Sequence, residues 1–242
     1  MAEYKKLSCN VALANIRIEA SHKSELITQC MMHDKLIDLN IHEGVWGYVQ
    51  LDANKTEGWI LKGQCDEISE AAFALKPKSV FTNATGNVEN ILLGTYSFIE
   101  DNLFTSFDKL PRNEETILQL MKPYLNAPYS WGGITTQGID CSGLSMILYR
   151  YFGIALTSFA EEQFNEGSTL DFLQDAQCGD LAFFENDEHK ITHVGIMLNG
   201  SEILHASEMN GKVKIDYIDN EGIINKHTNQ RTHRLRLIKR LQ

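Results

Sequence analysis

Ala127-Pro128-Tyr129-Ser130-Trp131-Gly132-Gly133, followed by Gly138-Ile139-Asp140-Cys141-Ser142-Gly143-Leu144-Ser145-Met146, is the stretch from which the fold is read. Its first half predicts irregular backbone, because proline removes a donor and paired glycines admit positive φ. Its second half predicts the start of a helix: Leu144, Ile147, Leu148 and Tyr151 recur at helical spacing, and Gly153 stands where a C′ glycine closes the last turn. Asp140 is placed to cap that helix, and Cys141 falls in its first turn. There the positive end of the helix dipole favours a thiolate, the form in which cysteine attacks. Without its surroundings the same cysteine is a small buried hydrophobe, so the rest of the chain decides its role.

Working outward, Asn113 caps a predicted helix with Glu114 and Glu115 in its first turn and Ile117, Leu118, Met121 and Leu125 on its apolar face, strained or ended by Pro123. After the Cys141 helix comes a polar–apolar segment from Phe159 to Phe164. Candidate strands follow at Gly179–Phe184, His193–Leu198 and Ile203–Ala206. Helices followed by an antiparallel sheet predict an α+β domain. Before Gln64 the pattern differs, with short runs such as Leu36-Ile37-Asp38-Leu39, Val45–Leu51 and Gly58-Trp59-Ile60-Leu61 separated by turn residues, which predict a small antiparallel barrel. Between Asp66 and Leu110 the signal is weak: Ala71-Ala72-Phe73 is compatible with a short helix and Ile91–Tyr96 with a strand. The predicted division is therefore 1–65, 66–110 as linker or truncated second barrel element, and 111–242.

The chain of 242 residues has 43% hydrophobic and 22% charged residues, ordinary proportions for a globular protein. A formal charge of -10 argues against a nucleic-acid or anionic-membrane partner held by counterion release. Asn10, Asn15, Arg17 and Glu19 interrupt any apolar core of a signal peptide, and no apolar run is long enough to span a bilayer, so a cytoplasmic location is expected if the start is native. Cys9, Cys30, Cys65, Cys141 and Cys178 are odd in number and lack a CxxC pair, which predicts neither a disulfide framework nor a zinc site. Oligomeric state is not legible.

A cysteine acting on an acyl group needs a base, and that base needs a polar group to hold its ring. His193 begins one predicted strand and His205 ends the next, with Asn199-Gly200 between. If Asn199-Gly200 were a two-residue turn, His193 would face Ala206 and the two imidazoles would lie on opposite faces. A three-residue loop, Leu198-Asn199-Gly200 with Gly200 left-handed, puts His193 opposite His205, and this is the loop the catalytic reading expects. Two histidines and one thiolate can also bind zinc, but no local ligand spacing supports a metal here. His22, His33, His42, His189, His227 and His233 are read as surface or satisfied residues.

Tyr129-Ser130-Trp131-Gly132-Gly133, Asp140-Cys141-Ser142-Gly143-Leu144, Gly179-Asp180-Leu181, His193-Val194-Gly195-Ile196 and Leu204-His205-Ala206, in that order, resemble the NlpC-type papain-like cysteine peptidases of bacterial cell-wall metabolism. The resemblance runs from about Asn113 to Arg240. It implies a papain-like α+β peptidase domain with Cys141 as nucleophile, His193 as general base and acid, and His205 orienting His193. It also implies an oxyanion site near the Cys141 amide helped by Tyr129, and no cofactor. Trp46, Val49 and Gly58-Trp59-Ile60 resemble the bacterial SH3-like domain that accompanies such enzymes, although both tryptophans equally suit a small core. Together these resemble γ-D-glutamyl-L-diamino acid endopeptidases that trim murein-derived peptides bearing a free L-Ala. In that subgroup the residues matching Glu25, Tyr129, Trp131, Asp140 and Ser142 contact substrate, Glu25 holding the amine. Glu25 is otherwise a solvated carboxylate, and Asp140 or Ser142 a capping residue. Ser158-Phe159-Ala160 replaces the Arg-Asp pair of relatives, and Cys65 stands where a cleft tyrosine is expected. An amidase or acyltransferase on the same scaffold, or a binding module without catalysis, are the other readings.

Overall fold

The computed structural model describes residues 4–82, 91–99 and 101–241, and its chain divides into two compact units. The first takes in 1–110 with 131–133 and 150–156; the second takes in 111–130, 134–149 and 157–242.

In the first unit seven strands, β1 (Lys6–Cys9), β2 (Leu13–Arg17), β3 (Leu26–Met31), β4 (Lys35–Glu43), β5 (Trp46–Leu51), β6 (Glu57–Leu61) and β7 (Cys65–Glu67), form one antiparallel sheet in the order β3-β2-β6-β5-β4-β1-β7. Period-2 alternation sends Ala14, Ile16, Leu36, Val49, Leu51 and Ile60 into a core shared with Cys9 and Cys30. Each large aliphatic side chain so buried contributes roughly 1.5–3 kcal/mol. Strand β4 kinks between Asp38 and Ile41, where Asn40 adopts a φ of 60° and its N–H donates to Asp38 Oδ1 at 2.8 Å.

The predicted short helix exists as α1 (Glu70–Ala74), capped by Ser69. The strand expected over Ile91–Tyr96 does not form; 91–95 is loop and turn, and only Tyr96 enters a strand. The residues 83–90 and 100 of the 66–110 segment lie outside those described. A small sheet, β8 (Ser79–Val80), β9 (Tyr96–Ser97) and β10 (Thr105–Ser106), completes the segment, with β8 central.

The second unit opens with α2 (Glu114–Met121), where Asn113 Oδ1 accepts from the Thr116 N–H at 2.9 Å as expected. Its buried face is Ile117, Leu120 and Met121, not the predicted set, because Leu118 is 41% exposed and the chain tightens into a 3-10 turn at Lys122–Tyr124 around Pro123. A two-residue ladder, β11 (Ile134–Thr135) with β12 (Gly138–Ile139), leads into α3 (Cys141–Arg150) and the short α4 (Ala160–Gln163). Gly153, at φ 72° and donating to Arg150 O at 3.0 Å, follows α3 in the left-handed conformation that a C′ glycine supplies.

The remaining strands are β13 (Ser168–Leu170), β14 (Leu181–Glu185), β15 (Ile191–Asn199), β16 (Glu202–Ser207), β17 (Lys212–Asp219), β18 (Gly222–Ile224) and β19 (Arg231–Arg240). They pair in the order β13-β19-β14-β15-β16-β17-β18, and β18 pairs back onto β19, so six strands close into a ring. Closure removes the free edges of those six and encloses the inner face of the sheet. The fold is thus mixed α and β, as expected.

Candidate active site

Asp140 starts α3 with its side chain: Oδ1 accepts from the Gly143 N–H at 2.6 Å and from Ser142 Oγ at 3.0 Å. The first turn is fastened again by buried Gln163, whose Nε2 donates to Ser142 O at 3.2 Å and to Thr157 O at 2.8 Å, while its Oε1 accepts from Ser145 Oγ at 2.6 Å. Cys141, the first helical residue, is 7% exposed. Its sulfur also feels the backbone N–H of Val194, the residue after His193. Burial pushes the thiol up to about 12, Asp140 adds to the rise, and the N–H groups of Val194, Ser142 and Cys141 offset only part of it. The expectation of a resting thiolate is therefore corrected: desolvation of the buried sulfur outweighs the helix end.

The hairpin carrying the histidines differs from the one expected. Asn199 pairs with Glu202 across a two-residue Gly200-Ser201 turn, and Gly200 is not in the left-handed region. Asn199 Oδ1 closes the turn by accepting from the N–H and Oγ of Ser201, each at 2.9 Å. A plain hairpin of this kind would still separate histidines twelve residues apart by parity or by distance. What rescues them is a bulge at Leu198, after which Met197 pairs with Ile203 and Ile196 with Leu204. Continued by one residue, that register puts Gly195 opposite His205 and leaves His193 two positions along on the same face. A Cβ at Gly195 would lie 3.2 Å from His205 Cβ, so the missing side chain is the space the diagonal pair crosses.

His193 Nε2 lies 2.9 Å from His205 Nδ1, and His205 Nε2 lies 3.1 Å from Asp216 Oδ2. Asp216 Oδ1 accepts from Lys214 Nζ at 2.8 Å and from the Lys226 N–H at 3.0 Å. His233 stacks on His193 with ring centroids 4.2 Å apart, and Phe184 packs at 5.7 Å. Burial, reinforced by His233 and then His205, holds His193 well below the ordinary imidazole range. Burial lowers His205 as well, against the opposing pull of Asp216. Burial alone would raise Asp216, but hydrogen bonds from His205, Lys214 and the Lys226 amide keep its carboxyl below the usual range. Burial thus favours the neutral thiol and the neutral imidazoles, with the carboxylate of Asp216 behind them.

The second unit brings together Cys141, His193, His205, Asp140 and Ser142. Tyr129 lies close as well, since burial raises its phenol first and the charges of Cys141 and Asp140 raise it further. Asp140 and Ser142 are occupied in the helix cap. Glu25 and Trp131 count with the first unit; Glu25 is exposed and Trp131 is 51% exposed. His233, read from sequence as a surface or satisfied residue, has its Nδ1 2.9 Å from Thr232 Oγ1 and in addition walls the His193 site. Asp216 and Lys214 were not legible: in Lys212-Val213-Lys214-Ile215-Asp216 the alternation assigns the charged side chains to solvent, whereas ring closure buries Lys214 to 8% and Asp216 to 1% exposure. Among the described residues no cluster of three or more His, Cys, Asp or Glu is arranged to hold a metal. No helix among them is long and apolar enough to cross a membrane.

Residues 126–232 match the NlpC/P60 family. A γ-D-glutamyl-L-lysine dipeptidyl-peptidase of Bacillus subtilis (strain 168) is 35% identical over 103 residues, 42% of this chain and 34% of that protein. Its namesake from Bacillus cereus is 27% identical over 121 residues, 49% of this chain and 36% of that protein. The chain thus spans about a third of the length of these relatives. The crystal structure of an NlpC/P60 family protein from Bacillus cereus superposes with a TM-score of 0.78 at 19% identity, covering 97% of this chain and 99% of that one, a likeness of fold.

Proposed function

From the premise that this chain carries a domain of the NlpC/P60 family of cysteine peptidases, we propose that it hydrolyses γ-D-glutamyl-L-diamino acid bonds in murein-derived peptides. The observation that carries the reading is the second unit's constellation, with Cys141 at the head of α3 beside the His193–Val194 peptide and His193 bonded to His205.

In this reaction the Cys141 thiol proton passes to His193 as sulfur attacks the γ-D-glutamyl carbonyl. The carbonyl oxygen takes the negative charge at the first turn of α3, where the Cys141 N–H and the Tyr129 hydroxyl serve as donors. Collapse of the tetrahedral species breaks the C–N bond, and the proton on His193 leaves with the diamino-acid amine. Water, deprotonated by the same ring, then hydrolyses the thioester and restores the thiol. Because thiol and imidazole both start neutral, the charge pair forms only during attack.

Residues 1–65 of the first unit serve in this reading as an SH3-like domain and 66–110 as a linker or truncated second element of it, with 111–242 as the peptidase part. Glu25 is the proposed holder of the free amine of L-Ala, a charge-assisted pairing suited to an N-terminal ammonium. In this reading the reaction belongs to cytoplasmic recycling of wall peptides.

The test is incubation of the protein and its Cys141→Ala variant with L-Ala-γ-D-Glu-meso-diaminopimelate and with the N-acetylated peptide, with released diamino acid read by mass spectrometry. Cys141-dependent cleavage of the free-amine peptide alone is expected. No such cleavage sinks the reading, equal cleavage of both peptides removes the role of Glu25, and transfer to an added amine instead of water identifies an acyltransferase.

A further inference from the structure

The buried line behind His193 does not end at His205, and it rests on a residue outside the expected catalytic set. Building on the peptidase reading, we infer that Asp216 is a positioning residue that fixes, through His205, which nitrogen of His193 carries the proton. Asp216 is 1% exposed and its two oxygens are divided between different donors. Oδ2 faces His205 Nε2 at 3.1 Å; Oδ1 takes Lys214 Nζ at 2.8 Å and the Lys226 N–H at 3.0 Å. A carboxylate only accepts, so His205 Nε2 bears a hydrogen. In a neutral ring that leaves His205 Nδ1 as an acceptor, and the 2.9 Å contact with His193 Nε2 becomes a bond donated by His193. The lone pair of His193 then stands on Nδ1, the nitrogen not engaged by His205, ready for the thiol proton.

The setting keeps this order from reversing. Lys214 is itself buried and also reaches Asn210 Oδ1 at 3.3 Å, so the carboxylate is compensated where a lone buried charge would be expelled. His233, stacked on one side of His193, and Phe184 hold the ring plane. When His193 becomes imidazolium during attack, its Nε2–H already points along a line that ends on a negative charge.

Asp216→Asn is the decisive variant, because the structure dictates how the amide must sit. Two fixed donors meet at the Oδ1 position, so the amide oxygen stays there and the NH2 turns to His205 Nε2. His205 must then carry its hydrogen on Nδ1, donate to His193 Nε2, and force the His193 hydrogen onto Nδ1, where no thiol proton can be accepted. Long-range 1H–15N spectra of the imidazoles are expected to show His193 and His205 of the parent both protonated at Nε2, and both at Nδ1 in Asp216→Asn. With the diaminopimelate peptide, kcat is expected to fall by roughly 10³–10⁴ with KM unchanged, the scale of a wrong-tautomer defect. A parent spectrum with the His205 hydrogen on Nδ1, or a variant with the parent's kcat, overturns the inference. If Asp216→Asn fails to fold, the parent spectrum decides alone. A parent that cleaves nothing defeats the peptidase reading, while the ring spectra still judge Asp216.

Discussion

Cys30 in the first sheet and Cys141 in the second unit are both buried, and both thiols are pushed well up, Cys30 by its bond to Cys9 and by burial, Cys141 by burial first. Around Cys30 the neighbours are Ala14, Ile16, Leu36 and a second thiol, a core in which no group can take a proton at neutral pH. Around Cys141 stand a helix cap, a backbone N–H from β15 and the start of a histidine line that ends on a carboxylate. Burial is common to the two; a proton acceptor is not. What marks a nucleophile here is a nearby lone pair held in place, bought at the cost of dehydrating His193, His205 and Asp216, and nothing in the apolar core of the first sheet repeats it.

The contrast is broken most severely at Cys141 and His193. Cys141→Ala and His193→Ala are each expected to lower peptide cleavage by roughly 10⁴-fold or more, and the double variant no further, because the two act as one unit. Equal single losses that multiply in the double variant would mean that His193 acts apart from the thiol. Substituting Cys30 by Ala is expected to leave kcat unchanged while lowering stability, read by thermal melting.

Gly195→Ala is next in size. Its new Cβ would meet Ile203 Cδ1 at 2.6 Å and His205 Cβ at 3.2 Å. The expected outcome is a stability loss of about 1–3 kcal/mol with a parallel drop in kcat as His205 is displaced. A melting temperature and kcat equal to the parent's would show that β16 yields freely and that the gap at Gly195 does not position the diagonal pair.

Acid separates the two sheets more gently. His193 and His205 are held below the ordinary imidazole value of 6.5, and burial takes His233 down to about 4. A depressed imidazole stabilises the fold above its unfolded value and loses that contribution as pH falls towards the folded one. Asp216, also depressed, adds a loss below the usual carboxylate range. Hydrogen exchange on the intact chain between pH 7 and 4.5 is therefore expected to lose protection in β14–β19 before β1–β6. The reverse order would place the acid-sensitive charges elsewhere.

The smallest effect is kinetic. With thiol and imidazole neutral at rest, iodoacetamide at pH 6 is expected to label Cys141 no faster than an ordinary thiol, with the rate rising into the alkaline range. Rapid labelling at pH 6, followed by peptide mapping, would establish a preformed ion pair.

Much of the site was legible in the chain because its parts are local. The Asp140 cap, the Cys141 helix and the strands bearing His193 and His205 each follow from a few neighbouring residues, and the structure holds them as expected. The hairpin register is not legible because the Leu198 bulge leaves no composition signal; glycine at 200 invites a left-handed loop that the chain does not use. Lys214, Asp216 and His233 were invisible for a different reason. Their burial is produced by β18 pairing back onto β19, a contact no local pattern announces, and before that closure an alternating Lys-Val-Lys-Ile-Asp run is indistinguishable from a half-solvated strand.

The bulge at Leu198 has a consequence for how this hairpin can change over evolutionary time. An insertion or deletion absorbed by the Gly200-Ser201 turn leaves the pairing beyond Leu198 untouched, whereas one residue gained or lost within β15 between the bulge and His193 turns His193 to the other face, so length change is tolerated at the turn and not along the strand.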